Sequence, residues 1–102
     1  MNRVFKALSD PSRRRVLQLL RERPMSAGEL AGHFPFAKPT MSAHFAVLRE
    51  ADLIEADKQG GTIIYRLKLS VVEDALLGFA ESLGIGAEPA PDVRKTPKGE
   101  RP

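Results

Sequence analysis

The spacing of apolar residues changes after Ala51 in this 102-residue chain, and the position of the change limits the folds available to it. Up to Ala51 the apolar residues recur every three or four positions, which predicts helices. After Asp52 two β-branched runs, 53–57 and 62–67, alternate with a period of two, which predicts strands. Residues 58–61 separate these runs and contain two glycines, as a hairpin turn requires. The pattern therefore predicts a set of helices followed by one β-hairpin.

Signals for helix starts and ends divide the first fifty residues into four helices. Asp10 can cap a helix that begins at Pro11, and Pro24 ends that helix. Ser26 and Glu29 form a capping box, with a hydroxyl at the cap and a carboxylate three residues later. The predicted helices are a short one over 2–8, one from Pro11, one from Ser26 to about His33, and one over 38–51.

A last helix is predicted after the hairpin. Ser70 is the expected cap, the helix runs from Val71 to about Leu83, and two carboxylates stand in its expected first turn. The fold class is therefore mainly α with a small β-hairpin, in the order α-α-α-α-β-β-α, a winged helix-turn-helix. Residues 1–84 are expected to form this domain. Residues 85–102 hold four prolines and almost no large apolar side chain, and we expect a disordered C-terminal tail.

Composition excludes several classes of site. The chain has no cysteine, so disulfides, zinc–thiolate sites, iron–sulfur clusters and cysteine redox switches are excluded. The two histidines, His33 and His44, fall on different predicted helices with no neighbour to complete a metal site. We expect no metal, no cofactor and no enzymatic activity, because no catalytic constellation occurs. No apolar run is long enough to cross a bilayer, and we expect a cytoplasmic protein without membrane insertion.

The helix over 38–51 is the predicted DNA-reading element. A helix-turn-helix places its second helix in a major groove, and the hairpin, or wing, reaches the neighbouring backbone. Met41, Phe45 and Leu48 lie on one stripe and are expected to face inward. The first turns then present hydroxyls, a lysine and helix N–H groups to phosphates and base edges. The other reading of this surface is an ordinary solvated helix face. The predicted contacts on this helix are Lys38, Pro39, Thr40, Ser42, Ala43 and His44.

Two further polar segments are candidates for backbone contact. In the wing, Lys58, Gln59 and Thr62 are predicted to contact phosphates, although a polar hairpin tip would have the same composition. The run Arg13-Arg14-Arg15 is the densest basic segment, and the net charge of +3 is compatible with a nucleic-acid partner. Three consecutive positions cannot share one helix face. For this run alone we favour a solvated helix surface over a DNA contact.

The apolar surface of the last predicted helix indicates a homodimer. Its apolar residues cover more of the helix than packing on one small core requires. Together with the first helix they offer surface for a two-fold interface. A simpler reading is that this helix only closes the core of the monomer. The predicted interface consists of Val4, Phe5, Leu8, Val72, Leu76, Phe79 and Leu83.

Four parts of the chain form a distinctive pattern: Val4–Leu17, Ser26–Ala31, Lys38–Phe45 continued by Val47–Ile54, and the strand end Ile64–Leu67. Together they resemble the ArsR/SmtB family of bacterial repressors. The resemblance covers about residues 2–83, and within the family the chain is most similar to the SdpR-like branch of autorepressors. It implies a homodimer that binds an inverted repeat in promoter DNA until a signal, an inducer or an anti-repressor protein, releases it.

The chain also departs from the family pattern. Metal-sensing members carry cysteines before the turn or Asp/His pairs on the last helix, and neither set is present here, so metal sensing is not expected. Ala43 and Ala46 stand where many relatives have polar or basic residues, and Gly61 stands where the wing often has arginine. We therefore expect more reliance on phosphate contacts and DNA shape. The alternatives are a protein-interaction winged helix with little specific DNA binding and a variant that senses a small molecule.

Overall fold

The computed structural model describes residues 2–86, and within them it contains five helices and a three-stranded antiparallel sheet. This architecture is a winged helix-turn-helix, as the sequence predicts. In chain order the elements are α1 (Asn2–Leu8), α2 (Pro11–Glu22), β1 (Met25–Ser26), α3 (Ala27–Ala31), α4 (Lys38–Glu50), β2 (Ile54–Gln59), β3 (Thr62–Leu67) and α5 (Leu69–Ser82).

The chain divides into two compact units, and the boundary falls after Val72, inside α5. The first unit holds every other helix and the sheet, and the second continues α5 from Glu73. In the described part of the chain, no helix combines the length and apolarity needed to cross a membrane. Of the predicted tail, 85–102, only residues 85 and 86 are described, and the rest lies outside the described residues.

Local side-chain bonds fix the starts of two helices where the sequence predicts them. The Asp10 carboxylate accepts hydrogen bonds from the N–H groups of Ser12 at 2.7 Å and Arg13 at 3.2 Å. The predicted capping box is also confirmed, because Ser26 and Glu29 each accept the other's backbone N–H at 3.0 Å. These bonds satisfy N–H groups that have no partner inside the helix.

The hairpin and one short strand form the sheet. β3 lies in the centre, with β2 on one side and β1 on the other. The hairpin pairs run from Ile54 opposite Leu67 to Gln59 opposite Thr62, so the turn consists only of residues 60 and 61. β1 was not predicted. Two residues cannot show a period of two, and β1 is a strand only because Met25 pairs with Tyr65.

The core of the first unit confirms the predicted inward stripe of α4. Met41, Phe45 and Leu48 are all buried. The rings of Phe45 and Tyr65 pack against each other with centroids 4.7 Å apart, which joins α4 to the centre of the sheet. Leu30 of α3 is also fully buried, and α3 is thereby held against the same core.

Three predicted boundaries are wrong by two residues. The helix predicted to reach about His33 ends at Ala31, and a turn follows in which His33 and Phe34 each bond three residues back. Lys58 and Gln59, predicted between the strands, belong to β2. α5 begins at Leu69 because the Lys68 carbonyl accepts its first helical bond, from Val72, at 3.1 Å. Ser70 is therefore inside α5 and not its cap, and no acidic residue stands in the first turn.

Candidate nucleic-acid interface

The N-terminal half of α4 carries an exposed polar surface. Ala37 is the N-cap residue and has no side chain that could satisfy the free N–H groups of the first turn. Pro39 has no N–H, so the N–H groups of Lys38 and Thr40 are the first-turn donors left for an outside acceptor. All the predicted contact residues before His44 are exposed, and they are Lys38, Pro39, Thr40, Ser42 and Ala43.

His44 differs from the other predicted contacts because it is half-buried. Its Nδ1 lies 3.2 Å from Nη1 of Arg13, and its ring faces that of Phe36 with centroids 5.9 Å apart. Phe36 stacks in turn on Phe34. A side chain held on two sides by the protein has a packing role, so His44 is less available to DNA than the other predicted contacts on α4.

The arginine run is engaged at the end of the first helix. Arg13 donates to the carbonyl oxygens of Lys6 at 2.7 Å and Ala7 at 2.9 Å. Arg14 donates to the carbonyl of Leu8 at 2.6 Å. The last carbonyls of a helix have no partner inside it, and cations are favourable there. The prediction of a solvated helix surface does not include these bonds to the end of α1. Their acceptors are backbone carbonyls, and a pattern of side chains does not show where those lie.

The wing separates its predicted contacts onto two faces. Paired residues of an antiparallel hairpin share a face, and successive residues alternate. Gln59 and Thr62 are such a pair, so Lys58 lies on the opposite face. The Gln59 amide also donates to the Asp57 carboxylate at 2.9 Å, which Arg66 approaches to 4.0 Å. Lys58 is consequently the wing residue best suited to a phosphate.

A groove between α4 and β2 adds a residue that the sequence reasoning missed. It has a volume of about 460 Å³ and is lined by Ala46, Arg49 and Glu50 from the helix, with three residues of β2. Burial raises the pKa of the Tyr65 phenol, and the nearby charge of Arg49 opposes that rise. Arg49 is exposed and lies seven positions after Ser42. That helical spacing, extended beyond Ala46, could have identified it.

The residues predicted for a dimer interface range from partly buried to exposed. Val4, Leu8 and Val72 are partly buried against the core of the first unit. Phe5 is 39% exposed, and α5, whose fourteen residues are all described, has none that is buried. Leu76 and Phe79 of α5 are 50% and 37% exposed, and Leu83, which directly follows α5, is 59% exposed.

The structure offers no cluster of candidate metal ligands among residues 2–86. No three side chains of His, Asp or Glu come close enough there to hold an ion. Because the chain has no cysteine, these side chains are the donors on which a transition-metal site would depend.

Comparisons with known proteins agree with this geometry. A family model described as a helix-turn-helix domain, HTH_20, matches residues 8–56. The chain is 43% identical over 76 residues to the transcriptional repressor SdpR of Bacillus subtilis, which covers 74% of this chain and 84% of that protein. It is 37% identical over 67 residues to the arsenical resistance operon repressor of Staphylococcus xylosus, covering 66% of this chain and 64% of that one.

A solved structure gives the same result for the fold. The crystal structure of an ArsR family transcriptional regulator is similar to this chain with a TM-score of 0.74 and 31% sequence identity. The similarity covers 82% of this chain and 92% of the other. It therefore extends over almost the whole of the solved chain, and the shared part includes more than the helix-turn-helix segment.

Proposed function

Since the chain belongs to the ArsR/SmtB family of winged helix-turn-helix transcriptional regulators, we propose that it is a homodimeric repressor of an inverted-repeat promoter site. It is a DNA-binding regulator and not an enzyme. What we propose in addition is which residues contact DNA, how two chains associate, and where the protein acts. Because the target is a promoter, we place the repressor in the cytoplasm.

The uncapped start of α4 is the observation that carries the proposal. Its free N–H groups point out of the helix end beside exposed Lys38, Thr40 and Ser42. A helix end with free donors, a cation and two hydroxyls matches phosphate oxygens and the acceptors of base edges. Met41 and Phe45 hold the opposite face in the core, so α4 presents this surface on a fixed support.

The selectivity of this helix would be modest. Ala43 and Ala46 are exposed, and a methyl group can contact a thymine methyl but cannot hydrogen-bond a base. Lys38 and, from the groove side, Arg49 would contact phosphates, which fixes the register of the protein without reading sequence. DNA shape is then expected to contribute to the choice of site. Lys58 would hold the wing to the neighbouring backbone.

Association of two chains would use the exposed apolar residues of α1 and α5. Two reading helices related by a two-fold axis enter successive major grooves when they lie about 34 Å apart, one turn of the duplex.

Release from DNA would not use the metal ligands of metal-sensing relatives. An inducer or an anti-repressor protein is the remaining class of signal.

Substitution of Ser42 tests the reading helix. We expect Ser42→Glu to abolish binding to a duplex that the native protein selects from a random library, because a carboxylate there repels phosphates and base acceptors. Ser70→Glu is the matched control, since Ser70 is also exposed and lies outside α4 and the wing. Mobility shifts measure both, and circular dichroism checks the fold. Normal binding by the folded Ser42→Glu protein would remove α4 from the proposal.

A protein-interaction role without specific DNA binding is the second candidate. The exposed Ala43 and Ala46 favour it, and so do the carboxylates of Glu55 and Asp57 on the wing. Titration with salt separates the two functions. Binding to DNA should weaken steeply as salt rises, because phosphate contacts release counterions. A protein that enriches no sequence and shows no salt-dependent binding to duplex DNA fits the second candidate instead.

A further inference from the structure

One guanidinium links three helices. Nη2 and Nε of Arg13 donate to the carbonyls of Lys6 and Ala7 at the end of α1, at 2.7 and 2.9 Å. Nη1 of the same side chain meets Nδ1 of His44, in α4, at 3.2 Å. Arg13 is itself in α2 and is partly buried. Its three nitrogens therefore connect α1 and α2 to the side of the reading helix.

The chemistry of this contact fixes the state of the imidazole. A guanidinium has only donors, so the atom of His44 that faces it must be an acceptor. Nδ1 is therefore unprotonated, and the ring proton of neutral His44 is on Nε2. The opposite side of the ring packs near Phe36. Between Arg13 and Phe36 the imidazole has a defined position and a defined tautomer.

The position of His44 gives this contact its importance. His44 directly follows Ser42 and Ala43, which are exposed on α4. Its side chain leaves the helix one position before Phe45, which is buried in the core. The core residues set how deeply α4 is embedded, and the bond from Arg13 limits its rotation and sliding on that side. A helix that is held on two sides can present its DNA-binding surface in a precise position.

We propose that Arg13 is a positioning residue for DNA recognition, acting through His44 and not by contact with DNA. This inference rests on the proposed function, because it takes α4 as the element that binds DNA. Loss of the contact would leave α4 helical but free to shift against α1 and α2. Specific binding, which depends on register at the base edges, would fall more than nonspecific binding to phosphates.

Arg14 provides a matched control. It is the next residue, it has the same charge, and it donates to the carbonyl of Leu8 at the end of α1. Within residues 2–86 the Arg14 side chain bonds to the end of α1 and not to α4. Arg13→Gln and Arg14→Gln thus both remove one positive charge and one guanidinium from the end of α1. Arg13→Gln removes in addition a second bond to α1 and the bond to His44, and substitutions of His44 separate these two losses.

The experiment compares the two variants on a duplex that the native protein selects from a random library, with an unrelated duplex alongside. We expect Arg13→Gln to weaken specific binding about tenfold or more, as for loss of a charge-assisted bond, and Arg14→Gln to weaken it by at most about threefold. On the unrelated duplex the two variants should be equal. Equal losses on the selected duplex would overturn the proposal. Failure of the native protein to select any sequence would instead overturn the proposed function, and this inference with it.

Nitrogen NMR of the imidazoles supplies a second measurement at alkaline pH. His33 is the only other histidine and serves as an internal reference. Native protein and Arg14→Gln should show His44 with its proton on Nε2, and Arg13→Gln should show a mixture of tautomers.

If Arg13→Gln does not fold, the contact can be removed instead by substitution of His44 on α4. His44→Asn offers an oxygen near the place of Nδ1 and His44→Leu does not, while neither keeps the Nε2 donor. His44→Asn must then bind the selected duplex more tightly than His44→Leu, and equal affinities would contradict the proposal.

Discussion

Asp52 follows the end of α4 in a backbone conformation that glycine usually adopts. Its φ is +62°, and among residues 2–86 no other residue except glycine has a positive φ. Its N–H donates to the carbonyl of Arg49 at 2.9 Å, and that of Leu53 donates to Leu48 at 3.1 Å. These two bonds form a Schellman motif with Asp52 in the left-handed position. The Asp52 carboxylate also accepts a hydrogen bond from Lys68 at 2.7 Å.

Replacement of Asp52 should separate backbone strain from the ion pair. We expect Asp52→Gly to be more stable than Asp52→Ala by about 1 kcal/mol, because only glycine adopts a positive φ without a Cβ clash. Both variants lose the ion pair, whose exposed partners contribute little. Urea unfolding measures the difference, and Lys68→Ala gives the share of the ion pair alone. Asp52→Ala being as stable as Asp52→Gly would show that the turn relaxes.

At the residue scale, the sequence predicted what depends on near neighbours. Met41 and Phe45 were placed inward by helical spacing, and Asp10 was identified as a cap from the proline beside it. The bond between Arg13 and His44 spans 31 positions and depends on how two helices cross. No local pattern contains that information, so the role of Arg13 could not be predicted. Arg49 is different, because Ser42, Ala46 and Arg49 follow one another at helical spacing and its outward position is contained in the sequence.

At the element scale, α3 is a helix of five residues that depends on its capping box. A helix this short is marginal without such bonds. The Arg23 guanidinium, 2.9 Å from the Glu29 carboxylate, lowers the pKa of that group below its ordinary value of 4.5, and the Ser26 N–H adds to the effect. The group is ionised in the fold at a pH where it is protonated in the unfolded chain. Its stabilising effect is therefore complete above pH 4.5 and is lost as the pH falls through the lowered pKa.

Glu29→Gln tests this dependence. Glutamine can still accept the backbone bond of a capping box but does not titrate. We expect the native protein to be more stable than Glu29→Gln at neutral pH, and the difference to shrink as the pH falls below the ordinary value of 4.5. Unfolding by urea at several pH values measures it. A difference that stays constant into acid would show that the charge of Glu29 has no part in holding α3.

The wing, as an element, divides its predicted contacts between two faces, and Lys58 is the one suited to phosphate. We expect Lys58→Ala to weaken binding to selected and unrelated duplexes equally and to reduce the salt slope of log K by about one. Gln59→Ala is the control, because Gln59 is uncharged and bonded to Asp57. It should leave the slope unchanged. A slope that is the same for Lys58→Ala and the native protein would place the wing away from the DNA backbone.

Predictability differed among the elements for physical reasons. The hairpin and α4 each contain enough residues to show their period, and both were predicted with nearly correct ends. β1 has two residues and depends wholly on the register of β3. The start of α5 was misplaced because Lys68 joins the end of the sheet directly to the helix, with its N–H bonded to Leu53 and its carbonyl to Val72. Ser70 therefore had no role as a cap.

At the scale of the whole molecule, the predicted association of two chains is open to direct measurement. We expect the full chain to have the mass of a dimer in light scattering at micromolar concentration. Leu76→Glu should shift it to monomer, because a carboxylate without a partner is costly inside an apolar interface. Leu69→Glu is the control, since Leu69 is 42% exposed and lies outside the predicted interface. A monomeric native chain, or a dimeric Leu76→Glu, would contradict the interface.

The order of the sheet also bears on how the free protein behaves when crowded. Within the described residues, β2 has no strand on its outer side, so its backbone groups form an open edge. Such an edge can pair with another chain and start aggregation unless charges guard it. Glu55, Asp57 and Lys58 lie along β2 and are exposed. We expect these charges to keep unbound copies from joining wing to wing, and replacement of Glu55 and Asp57 by valine to yield protein that precipitates before it unfolds.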